Sequence, residues 1–138
     1  MAKKIFVDTN PIIYLVGEEQ PYYEKVLAYL SDGIRANAEF YTSTVTDAEF
    51  LVKPFADNDL EKIERYHSYL QRMKFLKCFV TNQIAETAAR LRAKYDSVKL
   101  GDALQIAASI DCGCDEFFTN DKRLKQVTEA NIVYLGDL

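Results

Sequence analysis

The chain has 138 residues, about half of them apolar, and a net charge of −4. This length fits one domain and leaves no room for two separate cores, and the composition excludes a disordered or collagen-like chain. The longest apolar runs span only a few residues, such as Ile12 to Val16, so no membrane-spanning helix is predicted. We expect a single domain covering residues 1–138, and the lack of an apolar signal region after Met1 favours the cytoplasm.

The predicted elements alternate between strands and helices. A β-branched and aromatic run from Lys4 ends at Asp8, and Asn10 and Pro11 then open a helix that ends at Gly17. The later predicted elements are a helix at 21–33, a strand at 40–43, helices at 44–52 and 57–75, a strand at 78–80, helices at 82–95 and 101–110, a strand at 115–119, a short helix at 121–127 and a strand at 131–134.

This alternation predicts an α/β fold, because parallel neighbouring strands require crossover connections that helices commonly supply. We expect a three-layer α/β/α sandwich with a mainly parallel central sheet. Pro54 is expected to end the helix at 44–52.

The cysteine and histidine content limits the chemistry of the chain. Three cysteines, Cys78, Cys112 and Cys114, cannot all pair within one chain, and the single histidine, His67, leaves no Cys/His zinc set to be completed elsewhere. We expect buried, reduced thiols. His67 lies in the middle of a predicted helix, remote in sequence from every candidate acid, and is interpreted as a packing or surface residue.

The charge is unevenly distributed along the chain. Residues 62–99 carry a net charge of +6, whereas the remainder carries −10. The overall negative charge argues against a protein that coats nucleic acid through bulk electrostatics. The basic segment either meets an anion or consists of solvated helix faces, and the sequence leaves both interpretations open.

Four acidic residues fall where predicted parallel strands end or the next helices begin. Asp8 ends the first strand and Asp121 follows the fourth. Glu49 lies about one turn into the helix after the second strand, and Asp102 is near the start of a later helix. Because ligands gather at the carboxyl ends of such strands, we expect these acids at one edge of the sheet. Each has a structural alternative, as an Asx turn, a helix cap or a capping box.

The four acids together predict a divalent metal site. Clustered carboxylates repel one another and stay ionised only when cations neutralise them. Oxygen ligands without histidine or thiol favour Mg²⁺ or Mn²⁺ over zinc. Such ions commonly serve phosphoryl chemistry, in which one lowers the pKa of an attacking water and another, ~3.5–4 Å away, stabilises the leaving oxygen.

Four segments resemble the acidic motifs of PIN-domain ribonucleases, in the order and spacing of that family. These segments are FVDTN at 6–10, VTDAEFL at 45–51, GDALQIAA at 101–108 and FTNDKRL at 118–124. The small single-domain size resembles the VapC toxins of prokaryotic toxin–antitoxin pairs. The resemblance implies an Mg²⁺- or Mn²⁺-dependent endoribonuclease, usually a homodimer, inhibited by an antitoxin whose peptide occupies the acidic groove.

The resemblance also implies roles for individual residues. Asp8, Asp102 and Asp121 would bind the metal, and Glu49 would complete the catalytic site or orient the water. Thr9, Asn10 and Thr119 match polar positions beside the acids and are candidates for binding the RNA substrate. The charge of the basic segment, rather than the resemblance, adds Arg65 and Arg72 as candidates for phosphate contacts.

Two alternative functions stay open from the sequence. The first is a phosphatase of the haloacid-dehalogenase type, in which the first-strand Asp is a covalent nucleophile. That chemistry needs a second Asp two residues later, where this chain has Asn10. The second is a non-catalytic interaction module with a PIN-like fold, against which the complete set of four acids argues.

Overall fold

The computed structural model describes all residues from Met1 to Leu138. Its five strands are β1 (Lys4–Val7), β2 (Glu39–Ser43), β3 (Leu76–Cys78), β4 (Glu116–Thr119) and β5 (Ile132–Tyr134). Its seven α-helices are α1 (Thr9–Val16), α2 (Tyr23–Arg35), α3 (Thr44–Phe50), α4 (Val52–Ala56), α5 (Leu60–Arg72), α6 (Asn82–Lys94) and α7 (Leu100–Asp111). Two 3₁₀ turns follow β4 and β5, at Lys122–Gln126 and Leu135–Asp137. None of the helices is long and apolar enough to cross a membrane.

The strands form one parallel sheet in the order β3-β2-β1-β4-β5. Successive residues of a strand point to opposite faces. In β1, Ile5 and Val7 accordingly pack into the core formed with α1, α2 and α5, whereas Phe6 packs into the core formed with α6 and α7. Helices therefore cover both faces of the sheet, which confirms the predicted three-layer α/β/α sandwich.

The strand order creates a switch point beside β1. The chain runs from β1 outward to β2 and β3 on one side, and later adds β4 and β5 on the other. The carboxyl ends of β1 and β4 therefore flank the crevice in which open α/β sheets bind ligands. Asp8 directly follows β1, and its backbone N–H donates to the carbonyl of Phe118 in β4 at 2.9 Å.

Two predicted boundaries were wrong. The strand predicted at 78–80 lies two residues earlier, at 76–78. Cys78 pairs with Ser43, the last residue of β2, so β2 offers no further residue with which Phe79 could pair. Pro54 does not end a helix but is the third residue of α4. The N–H groups of the first turn have no carbonyl partner within a helix, so a proline at that position removes no hydrogen bond.

The expectation that all cysteines are reduced was also wrong. Cys78, at the end of β3, and Cys112, which caps α7, form a disulfide across 34 residues of sequence, while Cys114 stays free. The fold brings the two together because β3 and α7 both contribute to the core on the α6–α7 face of the sheet. Burial raises the pKa of the Cys114 thiol to about 12.

Candidate active site

Three of the four predicted acids line one pocket at the switch point. Asp8, Glu49 and Asp102 border a pocket of about 250 Å³ together with Thr9 and Asn10. Asp121 lies beside it, close enough that its charge raises the pKa of Asp102. The parallel strands have therefore gathered the acids at the edge where the sequence predicted them.

Asp8 is the deepest of these acids, with only 4 % of its surface exposed. Its carboxylate caps α1 by accepting from the backbone N–H of Thr9 at 2.8 Å, and it accepts from the Thr119 hydroxyl, also at 2.8 Å. Burial nevertheless raises the pKa of Asp8 to about 7, and the charges of Asp102 and Glu49 act in the same direction. The surrounding dipoles thus only partly compensate for the loss of water.

A buried polar network around Gln105 supports Asp8, and the sequence analysis did not identify it. Gln105 Nε2 donates to the Thr46 hydroxyl at 2.7 Å and to the Thr9 hydroxyl at 3.1 Å, and it reaches Asp8 Oδ1 at 3.4 Å. Ser43 donates to the Gln105 carbonyl oxygen. The available signal was a polar residue one turn after Asp102 in an otherwise apolar stretch of α7.

Glu49 is placed at the mouth of the pocket by two contacts. The Thr9 hydroxyl donates to Glu49 Oε1 at 2.5 Å. The N-cap residue of α3 is Ser43 and Thr46 lies inside the helix, so Glu49 does not complete the capping box that was its structural alternative. A Cβ atom on Gly101 would lie 2.7 Å from Glu49 Oε2. The lack of a side chain at Gly101 therefore lets the carboxylate of Glu49 approach the first turn of α7, which carries Asp102.

Asp102 presents an unsatisfied oxygen. Its Oδ2 atom is buried and has no hydrogen-bond partner, and the nearest cation, Arg123 Nη2, lies beyond hydrogen-bond distance at 3.7 Å. Burial raises the pKa of Asp102, and the charge of Asp121 raises it further. Lys99 occupies the N-cap position of α7, so Asp102 is not the N-cap residue, although the backbone N–H of Lys99 acts on its carboxylate and lowers its pKa. Buried polar atoms are normally paired, and an orphaned carboxylate oxygen is the kind of atom a cation satisfies.

Asp121 is held in a contrasting way, by an arginine that the sequence analysis did not assign to it. Arg123 donates from Nε to Asp121 Oδ1 at 3.0 Å and from Nη2 to Oδ2 at 2.5 Å. The guanidinium lowers the pKa of Asp121. Asp121 also caps the 3₁₀ turn after β4 by accepting from the backbone N–H of Arg123. It therefore serves as a helix cap, which was its structural alternative, and also lies at the site.

The donor set of the pocket fits a hard divalent cation in its chemistry. All the candidate ligands are carboxylate oxygens, the type that Mg²⁺ and Mn²⁺ prefer, and Asp102 Oδ2 is an orphaned member of the set. No three acids, however, are arranged so that they already hold one ion together. Arg123 supplies positive charge between Asp121 and Asp102 instead.

The remaining predicted residues divide between the pocket and a distant edge. Asn10 lines the pocket, and its side-chain oxygen accepts from the backbone N–H of Asn120 at 3.3 Å. Arg65 is exposed on α5. Arg72, at the end of that helix, borders a separate cavity of about 600 Å³ where β2 and β3 begin, so the structure does not bring it to the acids. His67 is exposed and packs edge-on against the ring of Tyr66.

A family model covers most of the chain. The model of the PIN domain matches residues 5–130, which include all four acids. No curated protein matches the chain in sequence.

Solved structures share the fold at low sequence identity. VapBC2 from Rickettsia felis, bound to a DNA fragment from its promoter, is 15 % identical with a TM-score of 0.75, covering 95 % of this chain and 98 % of that one. VapBC-1 from nontypeable Haemophilus influenzae is 18 % identical with a TM-score of 0.76, over 96 % and 98 %. FitAcB from Neisseria gonorrhoeae is 18 % identical with a TM-score of 0.70, over 97 % and 99 %. At these identities the similarity establishes a common fold over nearly the whole of each chain.

Proposed function

The chain belongs to the PIN domain family, and from that premise we propose that it is a metal-dependent endoribonuclease. It hydrolyses RNA phosphodiester bonds with a water activated by Mg²⁺ or Mn²⁺. The observation that carries this proposal is the pocket at the switch point, where Asp8, Glu49 and Asp102 converge and Asp102 Oδ2 is buried without a partner.

The chain's own groups have distinct tasks in this reaction. A bound Mg²⁺ or Mn²⁺ would supply an acidified water and would neutralise charge on the phosphate. Asp8 and Asp102 would hold the cation, and Asp121, which Arg123 engages in this structure, would complete the ligand set. Glu49 orients the attacking water from the mouth of the pocket, where the Thr9 hydroxyl fixes it. Thr119 keeps Asp8 in position.

We further propose that the enzyme is the toxin of a toxin–antitoxin pair, acting as a homodimer in the cytoplasm. The support is the similarity in fold to chains of VapBC and FitAcB complexes. Exposed apolar side chains on α2, including Leu27 and Ile34, offer surface for a second copy or for an antitoxin. Expression of the chain should arrest growth, and co-expression of a protein encoded beside it should restore growth.

The nuclease proposal is tested by incubating the purified chain with single-stranded RNA and Mg²⁺ or Mn²⁺. We expect cleavage that is abolished by EDTA and lowered at least about 100-fold by Asp102→Asn, which removes a proposed ligand. Asp111→Asn, an exposed carboxylate at the far end of the same helix, is the matched control and should be as active as wild type. Cleavage that persists in EDTA would reject the mechanism, and binding of metal without cleavage would favour the non-catalytic module.

The phosphatase alternative has little support from the site. Its chemistry requires a carboxylate where Asn10 stands, and the Asn10 side chain is engaged with the backbone of Asn120. Formation of a covalent phosphoenzyme on Asp8 from a phosphate monoester would revive this alternative.

A further inference from the structure

A second cleft adjoins the acidic pocket. A cavity of about 310 Å³ between α1, α4 and α5 shares Ile13 and Glu49 with the acidic pocket. Lys53 of α4 and Lys62 of α5 border this cavity, and so does Glu19. The two cavities thus adjoin at Ile13 and Glu49, with carboxylates around the proposed cleavage site and two lysines around the neighbouring cleft.

Neither lysine is neutralised by an acid in the structure. The ammonium groups of Lys53 and Lys62 form no ion pair and no hydrogen bond, a property that they share with Lys4, Lys25, Lys74, Lys99 and Lys122. Lys62 lies over the ring of Phe50, with its Nζ 6.0 Å from the ring centroid, which keeps the side chain along the wall of the cleft. Two free cations therefore stand beside a pocket of carboxylates without being neutralised by them.

This arrangement suits a polyanion that passes through the acidic pocket. A phosphate entering the pocket meets carboxylates and is held only through a bound cation, whereas the neighbouring phosphates of the same strand need cations of the protein. Lysine meets a phosphate as a point charge on a flexible stem, without the fixed geometry that an arginine fork imposes. Contacts of this kind position a strand and carry no base specificity.

We propose that the cleft between α1, α4 and α5 binds the RNA backbone beside the cleaved bond, with Lys53 and Lys62 as its phosphate contacts. The inference rests on the proposed nuclease function. It differs from the prediction that Arg65 and Arg72 hold the substrate in the residues it names. Arg72 also differs in place, because it lies ten residues beyond Lys62 along α5, about 15 Å along the helix axis, and borders a different cavity.

The test measures binding of a fluorescein-labelled single-stranded RNA of mixed sequence by anisotropy, in EDTA so that the strand is not cleaved. Lys53→Gln combined with Lys62→Gln should lower the affinity roughly tenfold at low salt and reduce the slope of log affinity against log salt by ~1.4, since each phosphate contact contributes ~0.7. Lys53→Arg combined with Lys62→Arg keeps both charges and should bind as wild type does.

A matched control makes the same charge change on the opposite face of the sheet. Arg90→Gln combined with Arg92→Gln alters two exposed residues of α6 and should leave affinity and slope unchanged. An equal loss in this control, or a larger loss in Arg65→Gln combined with Arg72→Gln, overturns the inference. Binding of oligoglutamate is measured in parallel. If the Lys53 and Lys62 substitutions abolish binding of oligoglutamate and leave RNA binding intact, the inference is overturned and the cleft is assigned to an acidic peptide.

Metal-dependent cleavage by the wild-type chain, measured separately, distinguishes the two proposals. Cleavage with no effect of the Lys53 and Lys62 substitutions on RNA binding defeats only the assignment of the cleft. Absence of cleavage, together with the expected loss of binding, defeats the nuclease proposal and keeps the cleft as a site for nucleic-acid phosphates.

Discussion

Asp8 and Asp121 lie on the two sides of the switch point and are held by opposite means. Asp8 is enclosed by neutral donors, the hydroxyl of Thr119 and the backbone of Thr9, and its pKa is raised to about 7 by burial. Asp121 instead accepts hydrogen bonds from the positively charged guanidinium of Arg123, which lowers the pKa of Asp121. Asp8 therefore has no cation beside it when it ionises, whereas Asp121 already has one.

Removing the charge of the Asp8 carboxylate should change the stability of the metal-free protein more than any other substitution considered below. Its pKa is raised in the folded chain, from 3.8 to about 7, so the folded state binds the proton more tightly and the stability of the metal-free protein falls as pH rises from about 4 to 7. Asp8→Asn removes this loss and should raise the free energy of unfolding near pH 7 by up to about 4 kcal/mol. An Asn side chain can still accept from Thr9, so the cap of α1 is kept.

Urea unfolding in EDTA between pH 4 and 8 measures this difference. Asp111→Asn is the control and should follow the wild-type pH profile. The affinity of Asp8→Asn for Mn²⁺ should be at least about 100-fold lower than that of the wild type. Wild-type and Asp8→Asn stability profiles that run parallel over this pH range would contradict the assignment of a raised pKa to Asp8.

A smaller effect is expected from removing one donor to Asp8. Thr119→Val deletes the hydroxyl that donates to Asp8 and that accepts from the backbone N–H of Asp121. Leaving these groups unpaired should destabilise the protein by about 1–3 kcal/mol, raise the pKa of Asp8 further and weaken Mn²⁺ binding by roughly tenfold. Thr119→Ser keeps the hydroxyl and should restore all three properties. If serine fails to rescue them, the methyl packing of Thr119 matters rather than its hydrogen bonds.

The smallest effect is expected on the Asp121 side. Arg123→Gln removes the charge that competes with a metal for Asp121, and the affinity for Mn²⁺ should rise about two- to fivefold, as expected for loss of an exposed ion pair. Lys122→Gln removes the same charge from the neighbouring exposed residue and should change the affinity less. Titration of the two variants by calorimetry separates them. A fall in affinity in Arg123→Gln would mean that Arg123 positions Asp121 for the metal instead of competing for it.

The placement of the acids could be predicted from the sequence because it follows from topology. A residue that ends a parallel strand lies at the carboxyl edge of the sheet whatever its neighbours are, which suffices for Asp8 and Asp121. Glu49 and Asp102 follow from the helices that begin at the same edge. Strand β3 was misplaced because the apolar Phe79 and Val80 resemble strand residues, whereas the end of β2 at Ser43 decides where pairing stops.

The partners of the acids could not be predicted in the same way. Arg123 is only two residues from Asp121, but a solvated lysine or arginine beside an acid is common, and the bidentate contact depends on the 3₁₀ turn between them. Gln105 forms hydrogen bonds with the hydroxyl groups of Thr9, Ser43 and Thr46. Those contacts depend on how α7 is rotated against the sheet. Side-chain direction across three elements is not encoded in the local pattern.

The hydrogen bond from Thr119 to Asp8 joins residues 111 positions apart in the sequence. During translation, β1 can pair with β2 soon after both emerge from the ribosome, but its other edge stays open until β4 has been made. At 5–20 residues per second, synthesis of the segment from Asp8 to Thr119 takes roughly 5 to 20 seconds. A nascent chain of the proposed ribonuclease therefore carries an incomplete pocket until β4 has been made and has paired with β1.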